Sequence, residues 1–176
     1  VEKDSVSGVD GLDGAGAVTV SPDGSHVYVA AYNDDAVAVF SRNSSTGALT
    51  FVEVHKDGAG GVDGLDGARG VTVSPDGSHL YATGRNDDAV AVFSRNSSTG
   101  ALTIVVAEKD SVSGVDGLDG AGAVTVSPDG SHVYVAAYND DAVAVFSRTS
   151  STGALSFAEV LTNVAGGSAG LDGAAV

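Results

Sequence analysis

The chain contains no cysteine, no methionine and no tryptophan. Without cysteine there is no disulfide framework, no thiolate nucleophile and no Cys-ligated metal, although the absence does not fix a compartment. No apolar run reaches the roughly 18 residues that a transmembrane helix needs, so no membrane insertion is expected. Basic residues are scarce: eight Lys and Arg face 23 Asp and Glu, for a net charge of −15. Nucleic acid is therefore not an expected partner, because binding it requires a basic surface that neutralises phosphates. An anionic membrane surface is disfavoured for the same reason. The charge also keeps a repetitive, edge-exposing protein soluble. No signal peptide is visible and the first residues fall within a repeat, so a mature or excised piece is expected. A secreted or cell-surface protein is favoured, with the compartment left open.

Only three prolines occur, Pro22, Pro75 and Pro128, and they are one proline repeated. The segment beginning at Gly11, GLDGAGAVTVSPDGSHVYVAAYNDDAVAVF, starts again at Gly64, at Gly117 and, truncated, at Gly170, each step being 53 residues. A fixed period of this length marks a repeat architecture, in which one unit cannot bury its own apolar faces and its neighbours stack on it. The units are 11–63, 64–116 and 117–169, with 1–10 the tail of a preceding repeat and 170–176 the start of a fourth. The block Glu2–Arg42 returns verbatim as Glu108–Arg148.

Within a unit the pattern predicts four short strands. Ala17–Val20 is a β-branched apolar run closed by the turn Ser21-Pro22-Asp23-Gly24, where proline presets φ and glycine accepts its positive value. His26–Ala31 places Val27 and Val29 on one face and Tyr28 and Ala30 on the other, so both faces are covered. Ala36–Ser41 follows the turn Tyr32–Asp35. Leu49–Val54 follows the polar connection Asn43–Gly47 and precedes a loop over His55–Asp63. A helical solenoid is excluded, since no 3.6-residue apolar period appears and turn signals recur about every ten residues. Four antiparallel strands per unit, small and apolar on both faces, describe a propeller blade. The expected fold is all-β, with three blades per chain.

The stretch GARGVTVSPDGSHLYATGRNDDAVAVFSRNSSTGALT (Gly67–Thr103) follows the pattern xxVTVSPDGxxLYVxxxxxxxVxVFxxxxxTGxL, with Ala82 at its LYV valine. It resembles a blade of the seven-bladed lactonase-type β-propellers (the YVTN/SPDG repeats), and the likeness extends over essentially the whole chain. The resemblance implies that the first strand of each blade is innermost and the fourth outermost. It further implies that the loops around Asp10–Asp13 and Tyr32–Asp35 share one axial face, and the SPDG and NSSTG turns the other. Such blades occur in hydrolases, isomerases and non-catalytic surface proteins alike.

Propellers close with about four to eight blades. Three blades would leave two apolar sheet faces bare, and patches of that size mark interaction surfaces. The expected partner is therefore a further copy of the chain. A dimer gives six blades and is favoured; a trimer gives nine. Residues 1–17 and 160–176 occupy the same repeat positions, so two segments compete for one slot at each seam.

Three groups of residues are candidate sites. In the acidic loops, Asp10 and Asp13, Asp63 and Asp66, and Asp116 and Asp119 (with Asp172 in the stub) could hold Ca²⁺ or another divalent cation, which wants oxygen ligands; equally, such aspartates cap their own turn amides. The turns Asn33-Asp34-Asp35, Asn86-Asp87-Asp88 and Asn139-Asp140-Asp141 could form a ring that binds a cation or polyol, or act only as turn formers. The middle blade differs from its neighbours by Arg69 in place of Gly16 and Arg85 in place of Tyr32. Both arginines suit an anionic ligand, since guanidinium grips carboxylates bidentately, or they pair with nearby Asp. His26, His79 and His132 follow the SPDG turn in each blade, which suits a structural or solvent-facing role. Asn43-Ser44-Ser45 and Asn96-Ser97-Ser98 are N-glycosylation sequons, usable only in a eukaryotic secretory host.

Near-identical blades offer rings of identical groups, whereas catalysis needs groups in unlike roles. The first reading is accordingly a non-enzymatic module that binds, acts as a scaffold or simply assembles, gaining strength from one weak site per blade and requiring no cofactor. The alternative is a lactonase-like hydrolase whose axial Asn and Asp residues hold a metal.

Overall fold

The computed structural model describes residues 8–162. They form twelve strands and, among the described residues, no helix. The first blade comprises β1 (Ala15–Val20), β2 (His26–Ala31), β3 (Ala36–Arg42) and β4 (Leu49–Lys56). The second comprises β5 (Ala68–Val73), β6 (His79–Gly84), β7 (Ala89–Arg95) and β8 (Leu102–Lys109). The third comprises β9 (Ala121–Val126), β10 (His132–Ala137), β11 (Ala142–Arg148) and β12 (Leu155–Thr162). Each sheet is an antiparallel meander in chain order. The first strands of the blades, β1, β5 and β9, lie side by side and mark the axis.

Two details depart from the strand boundaries expected above. The fourth strand runs on through His55 and Lys56, pairing them with Val37 and Ala36. The first strand begins at Ala15 and skips a residue in its pairing, so that Gly16 is a β-bulge, as are Arg69 and Gly122. A bulge leaves one residue out of the ladder and turns its side chain aside.

The apolar core lies between blades. One face of the first blade (Tyr28, Ala30, Val37, Val39) packs on the opposite face of the second (Leu80, Ala82, Ala91, Phe93) together with Val62 and Leu65 of the intervening loop. Tyr81, Val90 and Val92 pack in the same way on Val133, Val135, Ala144 and Phe146. This stacking explains why the strands are apolar on both sides and built from small residues. In the first and third blades the outer strand closes the layer edge-to-face: the Phe40 and Phe51 rings are 5.7 Å apart at 69°, and Phe146 and Phe157 repeat the contact, while Ile104 takes that place opposite Phe93.

A buried arginine fastens each joint. Arg95, whose side chain is fully buried, donates to Tyr28 Oη (2.6 Å), Gly77 O (2.9 Å) and Asp23 Oδ2 (3.1 Å). It also lies 3.0 Å from His26 Nδ1. Arg148 does the same with Tyr81, Gly130, Asp76 and His79. The tyrosine hydroxyls in turn donate to Gly100 O and Gly153 O, both at 3.0 Å. Those glycines have positive φ, and a Cβ on either would run into the histidine ring of the preceding blade. A buried charge survives only when paired and hydrogen-bonded. Here the arginine is supplied by one blade and most of its partners by the blade before it. No buried side-chain nitrogen or oxygen lacks a partner among the described residues.

Candidate functional site

The first strands converge on a cleft of about 400 Å³. Its walls are mostly backbone and small side chains: Gly14, Gly16 and Ala17 from the first blade, Ala68, Gly70 and Val71 from the second, Gly122, Ala123 and Val124 from the third. Tyr32 and Arg69 supply its polar groups. Arg69 stands on the bulge of β5, at the position where the flanking blades have glycine, so only the middle blade projects a charge there.

Arg69 forms no ion pair among the described residues, where every Lys or Arg pair with a carboxylate belongs to Lys56, Arg95, Lys109 or Arg148. Arg85 pairs with no Asp among the described residues either; its guanidinium lies over the Tyr138 ring, 5.0 Å from the centroid. At the equivalent place in the first blade, Tyr32 Oη donates to Asn86 Oδ1 at 3.1 Å. The cleft rim therefore holds a chain of contacts between consecutive turns.

Close approach of two backbones sets the cleft floor. A Cβ on Gly70 would strike Gly122 O and Thr83 Oγ1. The Thr83 hydroxyl accepts from Gly70 N and donates to Gly122 O, both at 2.8 Å. Thr83 and Gly70 replace alanines found in the other blades, and their role could not be read from one blade alone.

The Asn-Asp-Asp turns are occupied locally. Asn33, Asn86 and Asn139 donate to Asp13, Asp66 and Asp119. Asp34, Asp87 and Asp140 accept the amides of the same three aspartates. Asp35 and Asp88 reach into the following blade, accepting Gly67 N and Gly120 N at 2.8 Å. Asp35, Asp88 and Asp141 all have positive φ, near 50°.

The acidic loops divide by role. Asp13, Asp66 and Asp119 face the asparagines, while Asp10 and Asp63 face lysines. Lys56 Nζ bridges Asp10 (2.9 Å) and Asp34 (3.2 Å), and Lys109 Nζ bridges Asp63 (2.8 Å) and Asp87 (3.0 Å). In the third blade the lysine position is Thr162. Carboxylate oxygens of Asp110, Asp116 and Asp140 gather there within 4.8 Å of one another, as do those of Asp57, Asp63 and Asp87. Three carboxylates are a donor set that could hold a hard cation; at Asp63 and Asp87 an ammonium already neutralises them. Burial opposes the charged form of Asp87, but the Asp66 amide and Lys109 outweigh it and hold its pKa below the ordinary value. Asp140 is pushed up, by burial first and then by Asp110, Asp119 and Asp116. Asp57, Asp110 and the two lysines escaped the sequence reading, although Lys-Asp recurs at the 53-residue period. Asp172 lies outside the described residues, as do most of the competing terminal segments.

Radial four-stranded blades around a cleft define a β-propeller. The chain belongs to the lactonase family of seven-bladed β-propellers, whose model matches residues 3–115 and 107–166. A candidate 6-phosphogluconolactonase of Bacteroides uniformis superposes with a TM-score of 0.72 at 24% identity, over 88% of this chain and 42% of that one. The periplasmic gluconolactonase of Pseudomonas aeruginosa gives 0.69 at 26% identity, over 84% and 40%. Hydrazine synthase of Kuenenia stuttgartiensis gives 0.59 at 21%, over 89% and 38%, a likeness of fold alone. The chain thus spans about two-fifths of the length of these structures. No curated protein is significantly similar to it.

Proposed function

We propose that the three blades form part of a lactonase-type propeller that takes a sugar-acid lactone in its axial cleft, with Arg69 gripping the anionic group of the substrate or product. The observation that carries this reading is an arginine without an ion pair among the described residues, placed in a cleft of a protein of net charge −15. Family membership and the gluconolactonase among its structural relatives support it. Opening a lactone with water yields a carboxylate, and a guanidinium stabilises the charge that develops on the way.

The test is titration of gluconate and 6-phosphogluconate by calorimetry, beside hydrolysis of the matching lactones. Arg69→Ala should weaken anion binding at least about tenfold, the scale of one charge-assisted contact. Unchanged binding in that variant would remove the proposal. A chelator arm asks whether the axial Asn and Asp residues serve by holding an ion.

A second reading, a binding module without turnover, is favoured by the lining of the cleft. Apart from Arg69 and Tyr32 it consists of glycine, alanine and valine, with no carboxylate or imidazole to move a proton. Anion binding that depends on Arg69 without turnover would select this reading.

A further inference from the structure

The two ends of the described blades expose halves of the joint that is seen complete twice inside the chain. Blade three presents the accepting half: Asp129, His132 and Tyr134, at the positions of Asp23, His26 and Tyr28. Tyr28 and Tyr81 are fully buried, whereas Tyr134 is 36% exposed and its hydroxyl has no partner among the described residues. Blade one presents the donating half. Arg42 donates to Gly24 O of its own blade, as Arg95 and Arg148 do to Gly77 and Gly130, but it meets no carboxylate among the described residues. Gly100 and Gly153 abut a histidine; Gly47, their counterpart, has no atom within 4 Å of where its Cβ would stand. Val18, on the same face, is 67% exposed, against 8% for Val71.

We propose that a second copy of this chain closes both edges. Arg42 of each copy enters the Asp129–His132–Tyr134 pocket of the other, and the two copies form a six-blade ring about a common two-fold axis. Each of the two faces has a counterpart that docks on blade two within the chain. Over its first three strands the exposed face of blade three is identical in sequence to the face of blade one that docks on blade two, because residues 2–42 recur as 108–148; on the fourth strand Leu161 stands where His55 meets Phe93. Likewise Arg42 and Phe40 repeat Arg148 and Phe146, which dock on blade two from the other side. An outer-strand contact also has both halves waiting: Glu53 Oε1 accepts Leu102 N at 2.7 Å, and Glu159 and Leu49 hold those positions on the open edges. Charge is complementary, a guanidinium facing a carboxylate. Six blades lie within the range that closes, about four to eight, whereas nine do not. The two-fold operation makes the two joints equivalent and leaves no free edge.

Light scattering over a concentration series tests this on the chain as it stands. The expected mass is twice 17.2 kDa. Arg42→Glu and Asp129→Lys should each place like charges in both joints and raise the dissociation constant about a hundredfold or more, giving single copies. Mixing the two variants restores one native joint and makes one charge-reversed joint, so a mixed dimer should form; a variant that had merely failed to fold could not be rescued so. A wild-type chain that stays single at tens of micromolar would overturn the proposal, whether its edges are then covered by further blades of a longer polypeptide or by a foreign protein. A mass three times that of the chain would overturn the six-blade ring. Single-charge variants that remain dimeric would overturn the joint.

Discussion

Val135 and Val29 occupy the same place in the repeat, yet Val135 is fully buried and Val29 is only half-buried. Tyr81 and Tyr134 differ in the same way, as do Val71 and Val18. In each pair the place in the strand and the register are the same, for Val29 and Val135 the flanking sequence is identical as well, and the difference is the presence of another blade. Burial in this fold is therefore a property of the joint, not of the strand. The interior joints and the open edges form a controlled pair in which one substitution can be made in both settings.

The largest contrast is expected for Val135→Asp against Val29→Asp. The first buries an unpaired carboxylate between two blades and should abolish cooperative folding, costing about 4 kcal/mol or more. The second places the charge on an open edge, and in dilute solution should cost less than half as much. Urea unfolding of the two variants decides; equal losses would mean that the edge is covered even in the single chain. Arg95→Ala against Arg42→Ala comes next. Arg95→Ala strands Asp23, His26 and Tyr28 in a closed joint and should cost about 3 kcal/mol. Arg42→Ala removes only the bond to Gly24 O and should cost about 1 kcal/mol at dilution.

Acid should act on the interior joints before it acts elsewhere. Burial, and then the adjacent guanidinium, lower the pKa of His26 and His79 from the ordinary 6.5. Arg95, Asp23 and Tyr28 surround the first, and Arg148, Asp76 and Tyr81 the second. A depressed histidine stays neutral in the folded state while the unfolded chain takes up a proton. Stability is thus full above pH 6.5 and is lost as pH falls from there through the depressed value. The aspartates add no loss in that window: burial opposes their charge, but hydrogen bonds from serines and the arginine hold both well below the usual carboxylate range. Urea midpoints between pH 7.5 and about 5.5 should decline with a slope of at most two protons, one for each buried histidine. A flat profile would mean that the joint tolerates an imidazolium beside the arginine.

Much of this fold was legible because the 53-residue period marks each unit and the SPDG and NDD turns punctuate the strands. Blade number, strand order and the two-sided apolar pattern all follow from that. The joint was not legible, for a physical reason. Arg42, Arg95 and Arg148 stand at the end of an apolar strand and look like an ordinary polar terminus. The tyrosine, histidine and aspartate partners of Arg95 and Arg148 lie 67 to 72 residues earlier, in the preceding blade. Attention to differences between blades finds Arg69 and Arg85, but it passes over what never differs. Arg69 was visible as a substitution, while its projection into the cleft depends on a bulge that glycine and arginine occupy alike and that no propensity distinguishes.

The smallest effect sharpens the same contrast within the acidic loops. Lys109 spans Asp63 and Asp87, whereas Thr162 leaves Asp110, Asp116 and Asp140 to repel one another. Thr162→Lys should restore the bridge and stabilise the chain by about 0.5–1 kcal/mol, the scale of a partly exposed pair. The sign of its pH dependence is fixed. Asp140 now titrates above its ordinary value and weakens the fold when ionised. With a lysine it should move below that value, as Asp87 does, and contribute stability that is present above 3.8 and lost as pH falls through its new value. The gain should therefore be full at pH 7 and vanish in acid, with the carboxyl shift of Asp140 visible by NMR titration. If the variant gains nothing at pH 7 while Asp140 shifts, the loop is held by carboxylates that accept backbone amides, such as Asp110 Oδ1 accepting from Leu118 N at 3.0 Å, and the lysines of the first two blades only offset charge.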